Sequence, residues 1–187
     1  MPEVADKFYE GAGHFASDTN FEVQRQNHFE IMLDLSRIIP NNTDIERHIR
    51  LSTKSITAPK ISSEPIPLKH GNETVKVAAA PVYEDLTIVV YDTIGKDQLG
   101  VLQAWYNKVF DYGSKLMGLV SQYKASGILY MYSPDCSIIR KWELEGIWPK
   151  EFGQDNAFDF DSTGVQTITL GLSVDRYREV LDVGSRT

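Results

Sequence analysis

Apolar and polar side chains alternate along much of this chain, and that pattern constrains its fold more than any other feature. Between Thr167 and Val174, Ile168, Leu170, Leu172 and Val174 fall on one side, and Thr167, Thr169, Gly171 and Ser173 on the other. A strand repeats every two residues and a helix about every 3.6, so this stretch can bury one apolar face only as a strand. Phe29, Ile31, Leu33 and Leu35 repeat the pattern against Glu30 and Asp34. Weaker alternation occupies Ile49–Thr53, Thr74–Ala79, Leu86–Val90 and Ile138–Leu144, where Ile138, Trp142 and Leu144 share a face with Arg140. Gly127–Tyr132 is apolar on both faces. Roughly eight strands are expected by this criterion, separated by turn-rich stretches such as Ile39-Pro40-Asn41-Asn42, His70-Gly71-Asn72 and Gly153-Gln154-Asp155-Asn156.

One segment follows the other period. Leu99, Leu102, Tyr106 and Val109, with Trp105 and Phe110 alongside, form an amphipathic stripe that predicts a single helix over 96–111. Asp92 or Thr93 is placed to cap its start, and Gly113 lies where helices commonly end. The stretch 52–72 holds three prolines and few large apolar residues, which fits a long hairpin reaching beyond the core. Such a hairpin is either a bare surface loop or a means of adding strand edges to a neighbour.

Little in the chain points to catalysis or metal binding. His14, His28, His48 and His70 are scattered without a paired spacing, and Gly11–Ala16 matches a relaxed dinucleotide-binding pattern with no strand before it. No catalytic residue, metal ligand or cofactor is assigned. Cys136 is the lone cysteine, which excludes an intramolecular disulfide and is expected to be a small buried hydrophobe in a reducing compartment. The N-terminus reads as neither an export signal nor a membrane span, so no membrane insertion is expected. Nineteen Lys and Arg against 26 Asp and Glu give a formal charge of -7, which does not favour gripping nucleic-acid phosphates. The negative charge is concentrated: residues 142–175 hold seven acidic side chains against Lys150 alone. Among them, Asp159 and Asp161 alternate with Phe158 and Phe160, as in a strand with carboxylates on its outer face.

The C-terminal half contains, in order, Trp142-Glu143-Leu144-Glu145-Gly146-Ile147-Trp148-Pro149, then Phe158-Asp159-Phe160-Asp161-Ser162, then Val165-Gln166-Thr167 running into the strand described first. This order resembles the tail tube proteins of contractile-tailed bacteriophages. In that family a strand ends at a Gly-apolar-Trp-Pro turn and leads to an aromatic/Asp strand and a final Gln-Thr strand. Upstream, 81–92 followed by the Trp105 helix resembles the family's strand-then-helix segment. Ser55-Ile56-Thr57-Ala58-Pro59 with Ile66-Pro67-Leu68 resembles its long hairpin. The likeness covers roughly residues 28–176 and is most specific over 142–175.

The resemblance implies a mainly β fold: a β-barrel of two packed antiparallel sheets with one flanking helix, over 28–181, between an N-terminal arm (1–27) and a C-terminal tail (182–187). It implies a structural role and no enzymatic one. Six copies would close into a ring, and rings would stack into a hollow conduit for genome ejection inside a contractile sheath. The implied partners are further copies of the chain, the tail sheath, tape-measure, baseplate and tail terminator proteins, and genomic DNA passing without specific binding. The implied location is the virion tail, assembled in the host bacterial cytoplasm. The same fold serves as inner tube in phage-like contractile injection and type VI secretion systems, which is the alternative reading. On this basis Ser55, Ile56, Thr57, Ala58, Pro59, Lys60 and Ile61 are candidates for contacts between subunits and rings. Glu143, Glu145, Asp159 and Asp161 are candidates for an acidic lumen that repels DNA. Gly146, Trp148 and Pro149 are read as a structural turn, with Trp148 anchoring a sheet corner.

Overall fold

The alternating stretch Thr167–Ser173 is a strand whose Ile168, Leu170 and Leu172 are almost fully buried, and the core is built around it. The computed structural model describes residues 24–40, 44–95, 97–154, 159–161 and 163–180. The arm before Gln24, the tail from residue 181, and Asp155 to Phe158 lie outside the described residues.

Seven strands form one antiparallel sheet. They are β1 (Phe29–Asp34), β2 (Thr53–Ile56), β7 (Leu86–Tyr91), β10 (Ala125–Tyr132), β11 (Ile138–Gln154), β12 (Thr167–Ser173) and β13 (Arg176–Val180). Their order is β1-β10-β11-β12-β7-β2, with β13 paired to β11 off that path. Among the described residues the ladder ends at β1 on one side and β2 on the other. The fold is therefore mainly β around a large antiparallel sheet, as the alternation predicts. Minor pairs join β3 (Ile61–Ser62) to β6 (Val82–Tyr83), β4 (Pro65–His70) to β5 (Glu73–Ala78), and β8 (Phe110–Asp111) to β9 (Leu116–Met117).

β11 organises the sheet. Its first part pairs with β10 on one edge and β13 on the other, and from Trp148 onward it pairs with β12. Leu144 and Ile147 project into the core with Ile31 and Leu33 from β1 and Ile88 and Val90 from β7.

Two helices matter to the packing. α2 (Gln98–Val109) is shorter than expected, and its cap is Asp97, whose Oδ1 accepts from the Gly100 N–H at 2.8 Å, in place of Asp92 or Thr93. Leu102 and Trp105 are fully buried, and the Trp105 indole N–H donates to the carbonyl of Tyr123, within α3 (Val120–Tyr123), at 2.8 Å. The second helix, α1 (Ile45–Ser52), was not expected, because Ile49–Thr53 reads as an alternating strand. The period of two fails there because Leu51 is 68% exposed, whereas Ile45, Ile49 and Ser52, spaced by four and three, are buried. α1 packs on β1 and runs directly into β2, and Arg50 pairs with Glu30 of β1 at 3.1 Å. Gln98 of α2 donates from Nε2 to Ser52 Oγ at 2.8 Å, joining the two helices through a buried contact.

Candidate functional site

The segment read as a turn, Gly146 to Pro149, lies inside β11, which continues to Gln154. The chain bends without reversing. Register shifts flank the bend, and Gly146 adopts φ +68°, a left-handed conformation that costs other residues free energy. A Cβ at Gly146 would also overlap the Asp175 carboxylate, which lies against it. Asp175 is held there by its own N–H donating to the Glu145 carbonyl at 3.1 Å and by an ion pair with Lys124 at 2.5 Å. The segment is a bulge that hands the strand from one set of partners to the next. Ile147 and Pro149 are buried there, while Trp148 is half-buried, edge-on to Tyr123 with ring centroids 6.0 Å apart.

Glu143 and Glu145 share the outer face of β11, but they do not form a bare acidic surface. β13 runs antiparallel alongside, placing Arg178 opposite Glu143 and Arg176 opposite Glu145. Glu143 pairs with Arg178 at 2.8 Å and Lys141 at 3.2 Å, and Arg176 reaches Glu145 at 2.5 Å. The Arg178 hydrogen bond, then that from Lys141, holds the Glu143 carboxyl below its ordinary value. Two of the seven carboxylates of the acidic run, Glu143 and Glu145, are thus compensated by the strand that follows it.

Asp159 and Asp161 do not extend that face. They lie in the loop between β11 and β12, and residues 159–161 form a turn in which Asp159 Oδ1 accepts the Asp161 N–H at 3.1 Å. Phe160 is fully exposed, so the strand expected here is absent over 159–161.

The projecting segment is displaced along the chain from where its prolines place it. Ser55 and Ile56 belong to β2, inside the main sheet. Thr57 continues that pairing, exchanging hydrogen bonds with Thr87 at 3.0 and 2.8 Å. Ala58 and Pro59 lead to Lys60, which pairs with Glu84 at 3.0 Å and whose carbonyl accepts from the Tyr177 hydroxyl. Ile61 pairs with Tyr83 in β3–β6. Residues 55–61 are therefore the root. The hairpin beyond is β4–β5, with every residue exposed and its tip at Gly71, φ +63°. His70-Gly71-Asn72 is its apex, where the sequence reading placed its end. Ile66 faces Val77 and Leu68 faces Val75 across the two strands, so one side of this hairpin is apolar and open to solvent.

Cys136 is a correction. It is exposed, at φ +66°, in the tight turn between β10 and β11, where its N–H donates to the Ser133 carbonyl at 2.9 Å. Among the described residues no group of three or more His, Cys, Asp or Glu side chains is arranged to hold a metal ion. No described helix is long and apolar enough to cross a membrane.

Comparison with known proteins gives two kinds of relative. Tail tube protein gp19 of Enterobacteria phage T4 is 27% identical over 125 residues, spanning 65% of this chain and 76% of the phage protein. Its counterpart in phage T6 is 26% identical over 125 residues. In three dimensions, a chain of the sheath–tube complex of the PVC extracellular contractile injection system superposes with a TM-score of 0.63 at 15% identity, covering 90% of this chain and 96% of that one. A chain of the anti-feeding prophage tube-terminating cap gives a TM-score of 0.61 at 15% identity, covering 88% and 98%. No protein-family model matches the chain. The sequence is thus homologous to phage tail tube proteins, and the fold is one that contractile injection machines also use.

Proposed function

We propose that this chain is the repeating subunit of a contractile phage's tail tube, a structural protein without catalytic activity. The observation that carries this reading is the 125-residue match to gp19, which spans three quarters of that protein. In this reading six copies close a ring, rings stack, and the subunit's sheet closes into a barrel continuous with its neighbours. Edge strands such as β1 and β2 invite disorderly pairing unless something covers them, and ring closure is a general means of covering them. The β4–β5 hairpin, rooted by 55–61, extends an apolar face to an adjacent copy. Asp159 and Asp161, outside the Arg-paired face of β11, lie toward the channel, where like charge keeps a passing polyanion from adhering. Sheath, baseplate, tape-measure and terminator proteins are the expected partners, in a virion tail assembled in the bacterial cytoplasm.

Negative-stain electron microscopy of the concentrated protein tests the architecture. Hollow tubes or six-fold rings are expected. Monomers that also fail to extend a purified baseplate would overturn it. The same subunit in an injection machine is the second reading, favoured by the fold similarity to the PVC and anti-feeding prophage chains. Capsid and packaging genes beside this one select the phage; their absence selects the injection machine.

A further inference from the structure

α1 and α2 leave a cleft of about 320 Å³ between them, near the lower end of the roughly 300–1,000 Å³ that ligand sites occupy. Ile45 and Ile49 of α1 and Val101 and Ala104 of α2 give it an aliphatic lining. His48 on α1, and Asp97 and Gln98 at the start of α2, supply its polar side chains. Gln98 is only 5% exposed, and half of its amide is unsatisfied. Its Nε2 donates to Ser52 Oγ, and that hydroxyl gives its one proton to the His48 carbonyl at 2.6 Å. Turning the amide over would set its oxygen against a hydroxyl with no proton to spare, so Oε1 is the group left over. It is buried and accepts from no described residue. Buried polar atoms are nearly always paired, so an orphan acceptor on the wall of a cleft calls for a donor from outside. Asp97 adds charge beside it. Its Oδ1 caps α2 by accepting the Gly100 N–H, and its Oδ2 accepts from no described residue. A helix N-terminus alone favours an anion, but Asp97 already fills that role, and what it leaves at the cleft is a further acceptor.

We propose that this cleft receives a lysine side chain of a partner protein, with its methylenes against the aliphatic lining and its ammonium donating to Gln98 Oε1 and the Asp97 carboxylate. The alternatives each leave something unmet. A carboxylate or phosphate would face two acceptors. An apolar side chain would fill the cleft and leave the Gln98 oxygen unpaired, and a neutral amide would satisfy that oxygen but not the Asp97 charge. A guanidinium is a rigid planar fork suited to the two oxygens of one carboxylate, whereas a compact ammonium can turn its three donors toward acceptors on two side chains. The inference does not depend on the tube reading, because it requires only that another protein cover this face of α1 and α2.

The test titrates the full, unassembled chain with Nα-acetyl-lysine N-methylamide at pH 8 and follows backbone amide shifts by NMR. Saturable shifts at His48, Gly100, Val101 and Ala104 are expected. The norleucine analogue keeps the four-carbon side chain and lacks the ammonium, and it should bind about tenfold more weakly. Asp97→Asn retains a helix cap, since Asn caps as well as Asp, and should weaken the lysine probe by about the same factor without unfolding the chain. Equal affinity for the two analogues, shifts that do not saturate, or unchanged affinity in Asp97→Asn would overturn the proposal. Binding of n-butylammonium with the lysine amide excluded would overturn it too, because the cleft would then take a free amine and not a residue of a protein.

Discussion

Replacing Gly146 by Ala places a methyl group at the corner of β11 and tests whether that corner is held by backbone conformation and space together. The left-handed φ of +68° costs a non-glycine residue about 1–2 kcal/mol. The new Cβ would also displace the Asp175 carboxylate from Gly146, breaking its pair with Lys124. Asp175 is 54% exposed in that pair, so its loss adds only about 0–1 kcal/mol. The expected cost is about 1–3 kcal/mol, a fall in Tm of roughly 2–12 °C for a chain of this size. Gly153, further along the same strand, is an internal control. Its φ is ordinary and a Cβ there meets nothing within 4 Å, so Gly153→Ala should be neutral or stabilising by up to about 1 kcal/mol. Urea unfolding of the unassembled subunit measures both. Adding Asp175→Ala to Gly146→Ala should recover only part of the steric cost, because the Cβ at 175 still lies 2.8 Å from the new methyl, and should leave the backbone part, a coupling of about 0.5 kcal/mol or more. Equal stabilities for Gly146→Ala and Gly153→Ala would refute the account of the corner.

Four further outcomes are expected. Arg178→Gln should lower Tm at neutral pH. Because the Glu143 pKa is depressed in the folded state, the stability from this pair is present above the ordinary value of 4.5 and is lost as pH falls through the lower folded value, so the two Tm curves should merge in acid. Leu68→Asp with Val75→Asp should leave the subunit's Tm within about 1 °C, since both side chains are at least half exposed, yet abolish polymerisation seen by light scattering. Lysine at Asp159 and Asp161 should slow DNA release from assembled particles without preventing tube formation; unchanged release kinetics would remove the acidic-lumen reading. Cys136 should react fully with a thiol reagent in the native protein, because it is exposed.

The strands with one buried face were legible because alternation reports burial directly: β1, β7 and β12 bury the side chains that their patterns select. Where burial is not set by a single sheet face, the pattern misleads. Ile49 and Leu51 alternate by accident at the end of α1, and the Ile45–Ile49–Ser52 spacing was the signal that would have identified the helix. A Gly-apolar-Trp-Pro run ends a strand in one context and bends it in another, and only the flanking pairs to β10 and β12 decide between them. Asp159-Phe160-Asp161 is too short a run for alternation to separate strand from turn. The acidic surface misled for a topological reason. A count along the chain cannot know that β13 folds back on β11 and sets Arg176 and Arg178 beside the glutamates. The projecting hairpin was recognised by its composition but misplaced, since prolines mark both its root and its first strand.

β11 has a consequence for how the subunit comes apart. One unbroken run of 17 residues supplies the inner pairing of both the β10–β13 region and the β12–β7 region. Neither region can peel away without stripping hydrogen bonds from the strand on which the other depends. Such sharing fuses the two into one cooperative unit, so unfolding should be a single transition with no half-open species. In the tube proposed above, load crossing the subunit would run along a covalent backbone and not through a separable seam.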